Sequence, residues 1–230
     1  MAQDHPVRRI LFVGDSLGHG VSAHMDLLLA ARGRAWRNAV VEPYVFTGGG
    51  VIVRPGQDLL ATLQTRLQQP DPPVDIVVLM AGVNDVGMPI GGGTFYDDRW
   101  QQAYAQRMRE MIRTATDRGI PTYWVGTPIL GRRMFAEPFE AHVRRVQYTV
   151  LSEEGCAAVL IDLYKLTAVD GAYAEFRDFG NGRAERFRDG DGIHFSPNGY
   201  RLIANHILDR IEADLMVHLR PGVDWSSLEE

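Results

Sequence analysis

The chain has 230 residues, 45% of them hydrophobic and 23% charged, which are ordinary values for a soluble globular protein. Lysine and arginine number 24 against 29 aspartate and glutamate residues, so the formal net charge is −5 at pH 7. This mild acidity argues against nucleic-acid binding, which needs a clustered basic surface. The single cysteine, Cys156, excludes an internal disulfide and a cysteine cluster for zinc.

Hydropathy argues against a membrane span. No segment reaches the length of about eighteen consecutive apolar residues that such a helix requires, and the polar first residues hold no apolar core of a secretory signal. No spacing of histidine or cysteine offers a metal-ligand set, so no cofactor is expected. We expect a soluble protein, cytoplasmic as written, and periplasmic or secreted if an N-terminal signal was removed. The sequence does not set its oligomeric state.

Short β-branched runs alternate with helical periodicity in the first half of the chain. Residues 9–13 predict a first strand that Gly14 ends, and apolar positions at helical spacing predict a helix over residues 20–32. A second extended run covers roughly residues 38–46 and stops at three consecutive glycines. Leucines at helical spacing then predict a second helix, at Leu59, Leu60, Leu63 and Leu67.

The alternation continues in the second half. Residues 75–80 form a nearly unbroken apolar run, typical of a strand in a parallel sheet that is covered on both faces. Further strands are predicted at 122–125 and 157–161, and helices at about 98–118, 137–154 and 197–218. Pro197 suits a first helical turn, and Ser196 is its expected N-cap.

This pattern predicts one α/β domain over residues 1–230. We expect a three-layer α/β/α sandwich with a mainly parallel, flavodoxin-like sheet of five strands. Its core covers about residues 9–215, and residues 220–230 form a C-terminal extension.

Polar, glycine-bearing segments follow the predicted strands. Ligands bind at the carboxyl ends of parallel strands, so these segments should meet at one edge of the sheet. Ser16 follows the first strand at a helix start, whose N-terminus favours developing negative charge. His194 can act as its general base, and Asp191 can accept from the other imidazole nitrogen. The sequence therefore predicts a triad, with Asp189 as the rival orienting acid.

Two further groups can stabilise an oxyanion beside Ser16. Gly50 can present its N–H at close approach, and Asn84 can donate from its side-chain amide. Taken singly, Ser16 is more simply a helix cap and Asn84 a turn residue. A non-catalytic, flavodoxin-like module whose loop at residues 14–20 binds phosphate is the alternative from another functional class.

Taken in chain order, these segments resemble the SGNH hydrolase superfamily, also called GDSL esterases and lipases. The matching blocks are Gly14-Asp15-Ser16-Leu17, Gly50 with Gly49 beside it, Gly82-Val83-Asn84-Asp85 and Asp191-Gly192-Ile193-His194. The resemblance covers about residues 9–215. It implies a serine ester hydrolase with Ser16, Asp191 and His194 as catalytic residues. It also implies an oxyanion hole formed by Ser16, Gly50 and Asn84.

A finer resemblance concerns one bacterial branch of that superfamily, which is tied to O-acetylation of envelope polysaccharides. It is carried by residues 14–20, Val53-Arg54-Pro55 and the segment from Asp162 through a hairpin to Phe195. It implies an acetylated sugar or glycan as substrate and a periplasmic location. Hydrolysis of short acyl esters is the expectation, and O-acetyl transfer to a polysaccharide by the same residues is the alternative.

Several residues are expected to face the substrate. They are Asp15, Gly49, Arg54, Asp85 and Trp100. Asp15 and Asp85 are also expected to hold their own loops through backbone N–H groups. Aromatic residues after the third and fourth strands could line an acyl or sugar pocket, namely Phe95, Tyr96, Phe135 and Phe139.

Overall fold

A computed structural model of the protein describes residues 7–32, 36, 38–131, 137–153 and 155–219, without the side chains at 137–139 and 216–219. The extension expected at residues 220–230 lies outside the described residues. No helix in the described part combines the length and apolar character needed to cross a membrane. Within the same ranges, no group of three or more histidine, cysteine or acidic side chains could hold a metal ion.

Strands and helices alternate as predicted as far as the fifth strand. The strands are β1 (Arg9–Gly14), β2 (Val40–Val45), β3 (Ile76–Met80), β4 (Thr122–Val125), β5 (Ala158–Ile161), β6 (Phe176–Asp178) and β7 (Ala184–Arg186). The helices are α1 (Ser16–Ala31), α2 (Leu59–Leu67), α3 (Asp98–Thr116), α4 (Glu137–Ser152), α5 (Leu163–Thr167) and α6 (Pro197–Leu219). After β5, the elements α5, β6 and β7 lie in a stretch for which the apolar pattern predicts no regular element.

Strands β1 to β5 form one parallel sheet in the order β2-β1-β3-β4-β5. This is the flavodoxin-like order, so the predicted sheet is confirmed. β2 lies on one side of β1, and β3 to β5 lie on the other. The strand order therefore reverses between β1 and β3, and ligands bind in the crevice that opens at such a point. β6 and β7 pair separately as an antiparallel hairpin.

Helices cover both faces of the sheet, which confirms the three-layer sandwich. Each side chain that is fully buried between the layers contributes about 1.5–3 kcal/mol. One core contains Leu17, Val21 and Met25 of α1 with Ile203, Ile207 and Ile211 of α6. The other contains Leu59 and Leu63 of α2, Met108 and Ile112 of α3, and Val143 and Val146 of α4.

The first helix begins earlier than its apolar pattern indicates, at Ser16. Asp15 is the reason, because its Oδ1 accepts from the N–H of Leu17 at 2.9 Å and of Gly18 at 3.3 Å. Such a cap satisfies N–H groups that a first helical turn otherwise leaves unpaired. The cap predicted for α6 is confirmed, since Ser196 Oγ accepts from the N–H of Gly199 at 3.2 Å.

Candidate active site

Ser16 lies where β1 meets α1, at the carboxyl edge of the sheet. Gly14 permits this tight turn, because a Cβ there would lie 2.7 Å from the carbonyl oxygen of Met80 on β3. The N–H of Ser16 has no hydrogen-bond acceptor among the described residues. Ser16 thus presents a hydroxyl and a free N–H at a helix N-terminus, which carries partial positive charge.

The segment before α6 brings His194 to Ser16. His194 Nε2 lies 2.9 Å from Ser16 Oγ, although the two residues are far apart in the chain. The other ring nitrogen, Nδ1, lies 2.5 Å from Oδ2 of Asp191. Oδ1 of Asp191 accepts from the N–H of Ile193 at 2.8 Å and of His194 at 2.9 Å. One carboxylate therefore fixes both the loop and the imidazole.

The electrostatics of Asp191 suit this arrangement. Partial burial acts to raise the pKa of Asp191, but the hydrogen bonds from the His194 ring and from the two backbone N–H groups outweigh it and hold the pKa below its usual range. The carboxylate is therefore ionised at neutral pH. Asp189, the rival acid, contributes its backbone N–H to the carbonyl oxygen of His194 at 2.9 Å. The geometry thus pairs the imidazole with Asp191.

The N–H groups of Gly49 and Gly50 have different uses. Gly49 N–H donates to the carbonyl oxygen of Phe46 at 2.8 Å and closes the turn after β2. Gly50 N–H has no acceptor within the described ranges of the chain. Of the two glycines, Gly50 is therefore the one that can donate to a bound oxyanion, and Gly49 has no N–H left for a substrate.

Asn84 lies in a short 3-10 helix, Val83–Asp85, directly after β3. Its Nδ2 donates to the carbonyl oxygen of Gly49 at 2.9 Å, which uses one amide hydrogen and leaves the second for a ligand. The guanidinium of Arg54 donates to the backbone carbonyl of Asn84. These two hydrogen bonds join the loop after β2 to the turn after β3, so the expected oxyanion donors are held in one unit.

Asp85 strengthens the same connection from inside the protein. Its carboxylate accepts from Val51 N at 2.8 Å, Ile52 N at 3.1 Å and the hydroxyl of Tyr104 at 3.1 Å. Burial raises the pKa of Asp85 to about 6, against the lowering effect of these hydrogen bonds. Asp85 therefore holds its loop, as expected.

Asp15 is the second buried carboxyl group next to the site. Burial raises its pKa to about 7, against the hydrogen bonds from Gly18 and Leu17, and the charge of Asp85 raises it further. Its Oδ2 is buried and has no hydrogen-bond partner in the part of the chain that the structure describes. Asp15 is therefore a mixture of protonated and ionised forms near neutral pH.

Three residues expected to face the substrate are buried instead. Trp100 is 0% exposed, stacks on Tyr104 with ring centroids 4.7 Å apart, and donates its indole N–H to Met88 O at 2.6 Å. Asp15 and Asp85 are 1% and 0% exposed. The structure thus corrects this expectation, because these side chains support the site from the core. Phe135 and the side chain of Phe139 lie outside the described residues.

Arg54 lines a wide, open cavity of about 830 Å³ between the β2 edge of the sheet and α2, and neither the triad residues nor the candidate oxyanion donors line it. Tyr44 and Phe46 contribute aromatic rings to this cavity, and Gln57 and Thr65 contribute polar groups. Because Arg54 also binds the carbonyl of Asn84, it connects the cavity with the candidate oxyanion donors. Arg54 therefore keeps its place among the residues that could face a substrate.

Arg188 lies outside the sequence motifs, and its side chain packs against residues 189–196, which carry Asp191 and His194 and are called the His194 segment. Its side chain is 0% exposed and donates to the carbonyl oxygens of Ile193, at 2.9 Å, and Ile129. Arginine is usually exposed, so its residue type gives no indication of burial. The available signal was its position three residues before Asp191.

Comparison with protein-family models shows the family of the chain. Residues 9–210 match a family model described as "Protein of unknown function (DUF459)". The chain belongs to this family. No curated protein sequence matches the chain.

Several solved structures are similar in fold to this chain. An aryl esterase from M. smegmatis matches with a TM-score of 0.61 and 16% identity, over 90% of this chain and 99% of that chain. A GDSL-like lipase from Bacteroides thetaiotaomicron matches with a TM-score of 0.61 and 16% identity, over 93% and 94%. An acetyl xylan esterase matches with a TM-score of 0.60 and 19% identity, over 88% and 99%. The chain thus has the fold of the SGNH hydrolases, which confirms the resemblance to that superfamily.

Proposed function

We propose that the protein is a serine ester hydrolase that works through an acyl-enzyme. The observation that carries this proposal is the hydrogen-bonded series from Ser16 Oγ to His194 Nε2, at 2.9 Å, and from His194 Nδ1 to Asp191, at 2.5 Å. The simpler interpretation of Ser16 as a helix cap loses its basis, because Asp15 caps α1. A phosphate-binding module would give the paired His194 and Asp191 no role.

Acylation follows from these contacts. His194 takes the hydroxyl proton as Ser16 Oγ attacks the ester carbonyl carbon, and Asp191 stabilises the imidazolium that forms. The carbonyl oxygen, which becomes an oxyanion, receives hydrogen bonds from the N–H groups of Ser16 and Gly50 and from the Asn84 amide. One such donor contributes ~3 kcal/mol to transition-state stabilisation. The imidazolium then gives its proton to the leaving alcohol oxygen as the ester bond breaks.

Deacylation reverses these roles. His194 removes a proton from water, whose oxygen attacks the acyl-Ser16 carbonyl. The carboxylic acid leaves, and Ser16 regains its proton from the imidazolium. A sugar hydroxyl in place of water would complete an acyl transfer instead of a hydrolysis.

The proposed substrate is a short acyl ester, such as an acetyl ester, of a small molecule or glycan. An ester substrate is supported by two proteins of similar fold, which are named as an aryl esterase and an acetyl xylan esterase. The open cavity that Arg54 shares with Tyr44 and Phe46 lies outside the triad, and it could contact the sugar part of such an ester through Arg54. O-acetyl transfer is the second candidate function, because the same cavity could hold an acceptor sugar.

Active-site labelling tests the proposal. A fluorophosphonate should label the wild-type protein at Ser16, and Ser16→Ala should abolish both labelling and hydrolysis of p-nitrophenyl acetate. Ser152→Ala is the control, because Ser152 is exposed at the end of α4 and should change neither signal. Full esterase activity in Ser16→Ala would overturn the proposal.

Product partition separates hydrolysis from transfer. The wild-type protein is incubated with p-nitrophenyl acetate and a rising concentration of an oligosaccharide acceptor. A constant yield of acetate supports hydrolysis, whereas acetylated sugar formed at the expense of acetate supports transfer.

A further inference from the structure

Arg188 lies just before the loop that carries Asp191 and His194, and it is enclosed by protein. Its side chain is 0% exposed, and its guanidinium carbon lies 3.6 Å from the centroid of the Phe195 ring. Two of its nitrogens donate to backbone carbonyls, one of Ile193 at 2.9 Å and one of Ile129. Arg188 therefore contacts the residue on each side of His194.

The hydrogen bond to Ile129 connects Ile193 and Phe195, through Arg188, to a second segment of the protein. Ile129 belongs to the loop after β4, and the N–H of Gly131 in that loop donates to the carbonyl oxygen of Gly192 at 2.8 Å. The His194 segment is thus attached to the rest of the sheet edge by backbone and by guanidinium hydrogen bonds. The planar guanidinium can reach two carbonyls at once, which a lysine ammonium cannot match in the same geometry.

Burial of the Arg188 charge should lower the stability of the fold, because the guanidinium loses its hydration. Burial lowers its pKa to about 10, so it remains a cation at neutral pH. Among the described residues it forms no salt bridge, and its Nε is buried without a partner. Burying a charge costs desolvation free energy that an apolar side chain does not lose, whereas the hydrogen bonds to the carbonyl oxygens of Ile193 and Ile129 depend on the guanidinium. A role in holding His194 accounts for a guanidinium at this place.

We propose that Arg188 is a positioning residue that fixes the backbone on both sides of His194 and so keeps the imidazole in reach of Ser16 Oγ. This inference rests on the proposed function. Arg188 takes no part in bond making, because two carbonyls and the Phe195 ring occupy its guanidinium. Its contribution should therefore appear in the rate of the chemical step and should be absent when His194 is absent.

The test compares Arg188→Met and Arg188→Lys with Arg177→Met as matched control. Arg177 also donates to a backbone carbonyl, that of Leu166 at 2.7 Å, and lies 5.6 Å from the Phe187 ring, and within the described ranges it forms no hydrogen bond with the His194 segment. For Arg188→Met we expect kcat on p-nitrophenyl acetate to fall ~100-fold with KM within about twofold, since an error near 1 Å in a catalytic group has that effect. Fluorophosphonate labelling of Ser16 should slow in parallel.

Arg188→Lys should lie between wild type and Arg188→Met, and it keeps the test valid if the methionine variant does not fold. Arg177→Met should keep its kcat within about twofold, whatever its melting temperature. In the His194→Ala background, Arg188→Lys or Arg188→Met should leave the residual rate unchanged, because residues that act as one unit are not additive.

Two results would overturn the inference while the proposed function stands. One is a folded Arg188→Met or Arg188→Lys protein with wild-type kcat and a labelled Ser16. The other is an equal loss of kcat in Arg177→Met, which would indicate general destabilisation. If the wild-type protein itself lacks Ser16-dependent esterase activity, the proposed function has failed, and the position-188 variants are not the cause.

Discussion

The carboxylate of Asp85 occupies the space that a side chain at residue 50 would need. A Cβ on Gly50 would lie 2.1 Å from Oδ1 of Asp85. The same carboxylate accepts the N–H groups of Val51 and Ile52, which follow Gly50 in the chain. The φ angle of Gly50 is outside the left-handed region, so close approach rather than backbone conformation requires glycine here.

Gly50→Ala should therefore damage both the fold and the site. We expect the free energy of unfolding to fall by about 1–3 kcal/mol, as for other overpacked positions. We expect kcat to fall more than ~10-fold, because the N–H of residue 50 must move with its loop away from the oxyanion. Chemical denaturation and p-nitrophenyl acetate kinetics measure the two effects.

Gly190→Ala is the matched control for this change. Gly190 lies in the His194 loop and has no left-handed φ, and a Cβ on it would meet no neighbouring atom within 4 Å. Both its stability and its kcat should match the wild-type values. Wild-type stability in Gly50→Ala would mean that the Asp85 carboxylate can move aside.

Asn84→Ala tests the proposed side-chain donor. Because the second amide hydrogen is the one available to an oxyanion, kcat should fall about 10²–10³-fold while KM changes little. The lost hydrogen bond to the carbonyl oxygen of Gly49 should cost only about 1 kcal/mol of stability. Steady-state kinetics and thermal melting separate these contributions. A kcat within threefold of wild type would remove Asn84 from the proposed oxyanion hole.

The sequence could predict where Ser16 and His194 would meet, because the rule behind their meeting is general. Apolar runs without alternation indicate a parallel sheet, and a parallel sheet brings the segments after its strands to one edge. The sequence therefore predicts that Ser16 and His194 lie close together, and the structure has His194 Nε2 and Ser16 Oγ 2.9 Å apart. The Asp-x-x-His spacing predicted the second contact in the same way.

The sequence could not predict which side chains near that edge turn inward. Trp100 stands close to predicted strand ends, as a pocket residue would, but the stack on Tyr104 and the hydrogen bond to Met88 O place it in the core. Arg188 has the residue type of a surface position, and its burial depends on the Phe195 ring and on a carbonyl from the distant loop after β4. Such contacts arise from packing between segments, which no local pattern encodes.

Asp191→Asn should separate the orientation of His194 from the shape of its loop. Asparagine keeps an oxygen that can accept the N–H groups of Ile193 and His194, but its amide nitrogen would face Nδ1 and favour the wrong tautomer. We expect kcat to fall by up to about 10⁴-fold with little change in melting temperature. Asp189→Asn, assayed in parallel, should stay close to wild type. Equal losses in the two variants would contradict the assignment of Asp191 as the orienting acid.

Asp15→Asn should change how stability depends on pH. Burial raises the pKa of Asp15 from 3.8 to about 7, so the native protein binds this proton more tightly than the unfolded chain does. Between these two values unfolding releases the proton, and the free energy of unfolding therefore falls as pH rises, by on the order of 1 kcal/mol per pH unit. The stabilisation is complete below pH 3.8 and is lost above about 7.

The asparagine variant removes this titration and keeps an oxygen to accept from Leu17 and Gly18 N–H. Its amide nitrogen would lie at the place of the unpaired Oδ2, a cost that does not vary with pH. We therefore expect the melting temperature of Asp15→Asn to decline less than that of wild type between pH 5 and pH 7, and the two curves to run parallel above that range. Asp85→Asn should show the same sign over a narrower window, because the pKa of Asp85 is about 6. Parallel curves for wild type and Asp15→Asn from pH 5 upward would show that the Asp15 carboxyl is ionised throughout this range, and would contradict its raised pKa.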